Sequence, residues 1–108
     1  MSINAIDDVP LDTVNMVVTF KRPLFENADK IGRAERFRLL RSRSLEVRES
    51  IIHWIADQGL SRDMSRISDP MMFNMLFIIC TPRLAERLTN APNVLKAFAN
   101  DDLPVELL

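Results

Sequence analysis

Few side chains in this sequence can do chemistry, and they are poorly placed for it. His53 is the only histidine, and it stands beside Trp54 inside a segment of helical periodicity. A histidine that acts as a general base needs a nucleophile and an orienting group around it. No Ser-His-Asp or Cys-His motif surrounds His53. Cys80 is the only cysteine. It closes an apolar run, which suits a buried structural thiol better than an activated nucleophile. One histidine and one cysteine do not fill an ordinary zinc site. Paired acids occur at Asp7–Asp8 and Asp101–Asp102, in segments that read as loops without the scaffold that would make one an acid and the other a base. Gly32 and Gly59 are the only glycines, too few for a phosphate-cradling loop. The expectation is a binding protein rather than an enzyme, with no catalytic residue, metal or cofactor.

The densest charge lies between Lys30 and Arg48. Lys30, Arg33, Arg36, Arg38, Arg41, Arg43 and Arg48 are offset there only by Glu35 and Glu46. Such a run fits either a patch for nucleic acid or an acidic partner, or a solvated helix face whose arginines pair with nearby acids and lie along the core edge. The second reading is preferred. The whole chain carries a formal charge of -1, so no global field draws it to nucleic acid or to an anionic membrane. The longest apolar run, Met75 to Cys80, is far too short to span a bilayer.

The elements that would position these residues can be read from periodicity and punctuation. The chain has 108 residues, of which 47% are hydrophobic and 27% charged, which suits one domain with a single core. With one cysteine, no intrachain disulfide is available. Asn15 to Phe20 is rich in β-formers and reads as a first strand. Residues 29–58 carry Phe37, Leu40, Ser44, Val47, Ile51 and Trp54/Ile55 at steps of three and four, which predicts a long helix. Gly32 weakens its start, so the firm part begins near Arg33, and Gly59 takes the left-handed cap. Asp63 to Ile67 reads as a second strand, Ser68-Asp69-Pro70 as a turn, and Met72 to Ile79 as a central strand. Phe73, Met75 and Phe77 share one of its faces, which is either core or a platform for bases. No Arg/Lys-Gly-aromatic signature supports the platform reading. Thr81 and Pro82 open a second helix, with Thr81 as N-cap and Pro82 in the first turn. Its apolar face is Leu84, Ala85 and Leu88, and it runs to Asn90. Val94 to Phe98 reads as the last strand. The order βαββαβ predicts an α+β ferredoxin-like plait, a four-stranded antiparallel sheet with two helices on one face. Phe37, Leu40, Val47, Ile51, Ile55, Leu84 and Leu88 are expected to face the sheet.

The second half resembles subtilisin-type protease propeptides and their free-standing inhibitor relatives. The residues that carry the likeness run from Met72-Phe73-Asn74-Met75 through Cys80-Thr81-Pro82-Arg83-Leu84 to Leu88, followed by Ala91-Pro92-Asn93-Val94. In that family an apolar strand enters a small polar cap, a leucine-repeating helix, a Pro-x-Val turn and a final strand. Asn15 to Phe20 suits the family's first strand. Met72-Phe73 departs from the small or Gly-aromatic pair common there, and the first helix is longer and richer in arginine.

Residues 1–13 are polar and carry Asp7, Asp8 and Pro10, which reads as a flexible arm; the resemblance, over roughly residues 15–108, implies an inhibitor domain at 14–102 and a cleft-binding tail at 103–108. It further implies a chain that inhibits a subtilisin-like serine protease, and helps it fold, through the sheet face and a product-like tail. Leu103, Pro104, Val105, Glu106, Leu107 and Leu108 would lie in the protease cleft, with Leu108 in the first specificity pocket and Val105 in the fourth. Asp101 and Asp102 would cap helix N-termini of the partner. The apolar end of the tail gives this independent weight, because such a segment gains by packing on something. The alternatives are a small regulatory or nucleic-acid-binding plait acting through the arginine-rich helix, and a homo-oligomer built on the open sheet face. No membrane association is expected. Met1–Asp8 lacks the pattern of a secretory signal, so a cytoplasmic location is expected, with secretion alongside a protease as the alternative.

Overall fold

In the computed structural model, described over residues 12–21, 30–72 and 74–100, the elements follow the order strand, helix, two strands, helix, strand. They are β1 (Val14–Phe20), α1 (Arg33–Asp57), β2 (Met64–Ile67), β3 (Met75–Cys80), α2 (Pro82–Arg87) and β4 (Val94–Ala99), with short 3-10 turns at Ser61–Asp63 and Leu88–Asn90. The strands form one sheet in the order β2-β3-β1-β4, and every pairing is antiparallel. This is an α+β, ferredoxin-like arrangement, as the order of elements predicts. β1 and β3 are central because they carry the longest β-branched and apolar runs, which tolerate burial on both faces.

Strand side chains alternate between faces. Met16, Val18 and Phe20 of β1 and Leu76, Ile78 and Cys80 of β3 join Ile51 and Ile55 of α1 and Leu84 and Leu88 in one core. Both helices therefore pack on the same face of the sheet. Val47, Trp54, Met64, Ile67 and Val94 close the rim of this core.

The helix ends follow their local chemistry. Gly59 takes φ +73 after α1, its N–H donates to the Ala56 carbonyl, and the Leu60 N–H donates to the Ile55 carbonyl. This is the Schellman closure, with Leu60 buried in the core. Thr81 caps α2 by accepting a hydrogen bond from the Leu84 N–H at 3.3 Å, and Pro82 occupies the first turn.

Three expectations need correction. Phe37 does not face the sheet and is 54% exposed, and Leu40 is only half-buried. The reason is length. The 25 residues of α1 span about 37 Å, while a strand of seven residues, the length of β1, covers about 23 Å. The apolar stripe continues past the point where the sheet can cover it. The central strand begins at Met75 rather than Met72. Met72 has φ +53, and a turn is closed by the Met71 N–H donating to the Met75 carbonyl at 2.6 Å. Finally, α2 ends at Arg87 and Leu88–Asn90 tightens into a 3-10 turn.

Candidate protein-binding face

The residues singled out for chemistry are scattered. His53 is exposed on α1. Cys80 is fully buried at the end of β3. Burial, aided by the nearby Asp63 carboxylate, pushes its thiol up to about 12, which disfavours the thiolate that nucleophilic or metal chemistry uses. Among the described residues no group of three or more His, Cys, Asp or Glu side chains could hold a metal ion. A cleft of about 30 Å³ lined by Arg41, Ser44, Leu45, Pro70 and Met72 has room for a water molecule and little more.

The arginines of α1 have divided roles. Arg38 pairs with Glu35 at 2.6 Å. Arg48 reaches off the helix: its Nε donates to the Ser68 carbonyl at 2.9 Å and its Nη2 to the Ile67 carbonyl at 3.4 Å. Ser68 is itself buried. Its N–H donates to the Phe77 carbonyl, and its Oγ accepts from the Phe77 N–H at 2.9 Å. Arg48 thus ties α1 to the β2–β3 connection, and Ser68 ties that connection to Phe77. Sequence periodicity did not single out Ser68, because its role depends on a contact across the hairpin.

Phe77 lies on the sheet face away from the helices. Val17 and Phe77 are register partners and form a second, smaller apolar cluster with Met75. Phe98 stands opposite Val17, and Lys96 opposite Thr19. Arg66 stands opposite Ile79 on the other side. No described helix packs on this face. The register slips between Thr19 and Phe20, and that bulge leaves Leu95 70% exposed, while Phe98 is 40% exposed. The Lys96 ammonium lies over the Phe98 ring, 5.4 Å from its centroid. Val17 and Phe77 at the centre of this side are buried, at 4% and 7% exposure, so the large apolar side chains that β4 leaves exposed are Leu95 and Phe98. Phe77 and Met75 therefore belong to a side of the sheet separate from the main core.

The residues assigned to cleft binding, Leu103, Pro104, Val105, Glu106, Leu107 and Leu108, and the acids Asp101 and Asp102, lie outside the described residues, as does the arm up to Leu11. The structure does carry the chain to the edge of the tail. The Asn100 N–H donates to the Asn15 carbonyl at 2.8 Å, so the chain is held against β1 up to residue 100.

The fold defines a small ferredoxin-like domain of the α+β class. A family model, PopD, matches residues 13–97, and the chain belongs to the PopD family. This corrects the resemblance drawn from Met72–Leu88 and Ala91–Val94, since the matching family is PopD and not a subtilisin-propeptide family. The features behind that resemblance are those any plait needs in its second half: an apolar central strand, a capped helix and a turn into the edge strand. No curated protein matches the chain, and no solved structure matches it.

Proposed function

We propose that this protein binds and inhibits a subtilisin-like serine protease, using the sheet face away from the helices together with residues 103–108 as a product-like strand. The observation that carries this reading is the continuity between the apolar face and the tail. β4 is an edge strand, it presents Phe98 and Lys96 on that face, and the chain passes from it through Asn100 directly into residues 101–108. A rigid face can hold a partner while the segment leaving its edge adds a strand to the partner's cleft. Inhibition of this kind needs occupancy and no catalytic group. Binding only the folded protease would also stabilise it by mass action, which assists folding.

The test is an inhibition constant for the full chain against a panel of subtilisin-like proteases. Inhibition of at least one member, competitive with a peptide substrate, is the expected result. Failure against every member would overturn the reading. The arginines of α1 supply no comparable argument for nucleic acid, since Arg38 and Arg48 are engaged within the domain.

A further inference from the structure

We propose that the chain forms a twofold dimer by pairing β4 with β4 of a second copy, antiparallel and centred on Phe98, which joins two four-stranded sheets into one. This rests on the open edge of the sheet and is independent of the protease reading. β4 ends the strand order. The backbone groups of an edge strand point alternately to its neighbour and away from it. The Asn100 N–H donates to the Asn15 carbonyl, and this pair continues the register of Val17 with Phe98 and Thr19 with Lys96. Lys96, Phe98 and Asn100 therefore turn their N–H and C=O groups toward β1, while Ala97 and Ala99 turn theirs outward. No described residue meets those outward groups.

The two edges of the sheet are guarded differently. β2, the other edge, has four residues, a register slip between Met64 and Arg66 and the exposed charge of Arg66. Short length, irregularity and charge all discourage edge pairing. β4 has six residues, no proline and one charge, Lys96. Its slip lies at its beginning, against Thr19 and Phe20, and leaves Lys96 to Ala99 regular. The residue pattern selects a second copy as the occupant. Ala97-Phe98-Ala99 reads the same in both directions, so a twofold axis at Phe98 gives each group a matching partner. Ala97 exchanges backbone hydrogen bonds with the second copy's Ala99, and Ala99 with the second copy's Ala97, which satisfies the outward groups. Phe98 meets the second copy's Phe98 at a non-hydrogen-bonded position, where side chains come closest. Lys96 falls opposite the second copy's Asn100, an amide that can accept from it. The two lysines then stand four residues apart along the paired strands, about 14 Å, beyond the screening length of about 8 Å in physiological salt. Centring the pair on Ala97 would halve that separation, so charge favours Phe98 as the centre.

Sedimentation velocity on the full chain over a concentration series tests this. Wild type should pass from monomer to dimer as concentration rises. Phe98→Lys sets two ammonium groups directly opposite each other, and Phe98→Glu sets two carboxylates so. Each should weaken dimerisation by at least about tenfold, since like charges in register repel. An equimolar mixture of the two variants should associate again, because lysine then meets glutamate. Ala97→Pro removes an outward N–H that the domain itself does not use, a change an edge strand tolerates, and should weaken dimerisation comparably. Arg87→Glu, exposed on α2, should leave it unchanged. Circular dichroism checks folding, and if a charged variant misfolds, Ala97→Pro decides. Wild type that stays monomeric at every concentration overturns the inference. So does a dimer that Phe98→Lys and Ala97→Pro leave intact, or a mixture of the folded charged variants that remains monomeric. Protease inhibition is a separate measurement, so its failure and the failure of the dimer are distinguishable.

Discussion

At the residue scale, Cys80 and Arg48 serve structure. Cys80 is enclosed by the main core, and burial followed by the Asp63 carboxylate raises its thiol. The fold favours the neutral form, so this contribution to stability is complete below the unfolded thiol's value near 8.5 and is lost as pH climbs toward about 12. Iodoacetamide at pH 8.5 should label Cys80 slowly in the native protein and quickly in urea; comparable rates would show that the thiol is not enclosed. Arg48 makes a different kind of prediction. Replacing it by Gln withdraws the donor from the carbonyl of buried Ser68 and should cost about 1–3 kcal/mol. Most of that comes from the hydrogen bonds, because the Asp69 carboxylate is 3.8 Å away and largely exposed, and such exposed pairs contribute about 0–1 kcal/mol. Arg41→Gln is the comparison on the same helix. Urea denaturation should separate the two variants, and equal midpoints would remove Arg48 from the account.

At the scale of elements, α1 is a helix of which the sheet covers only part. Ile51 and Ile55 are fully buried, while Phe37, four turns earlier, is mostly in solvent. Ile51→Ala and Leu84→Ala should each destabilise by about 2–5 kcal/mol, since both side chains leave a cavity in a closed core. Phe37→Ala should cost distinctly less despite removing the larger side chain. Thermal or urea unfolding of the three variants checks the ranking, and a Phe37→Ala penalty matching that of Ile51→Ala would mean the first turns of α1 are held as firmly as the rest. The Arg48–Ser68–Phe77 connection gives this uneven helix a purpose in the fold. It fixes the β2–β3 hairpin from the helical side while Phe77 presents its side chain to the other.

For the whole molecule, both helices close one face of the sheet, and the other carries Val17 and Phe77, buried beside Met75, between Arg66 and Lys96. On the proposed function, residues 103–108 act beyond that face. Removing Leu107 and Leu108 should weaken inhibition by at least about tenfold, since burying one such side chain is worth roughly 1.5–3 kcal/mol and about 1.4 kcal/mol is a decade in affinity. Val105→Asp should do similar harm by carrying a charge into an apolar pocket. Inhibition constants against one protease, with unfolding midpoints as control, measure this. Unchanged constants in both variants would show that the tail takes no part.

The order of elements, both helix caps and most of the core were legible in the sequence because they rest on local rules. A period of 3.6 marks Val47, Ile51 and Ile55, a left-handed position calls for Gly59, and a polar residue before proline starts α2 at Thr81. The same rules identified Cys80 as a buried thiol and His53 as isolated. They could not show where the sheet stops covering α1, because periodicity carries no information about the length of the opposing surface, and Phe37 was placed inside on that account. Strand alternation put Met75 and Phe77 on one face, but it could not find the role of Ser68, nor show that Val17, Phe98, Arg66 and Lys96 join them there. Those residues come from four strands widely separated in the chain, and a one-residue change of register would send any of them to the opposite side. Only tertiary pairing fixes that register, so the candidate site is a product of strand pairing, while the scaffold that holds it was already written in local sequence.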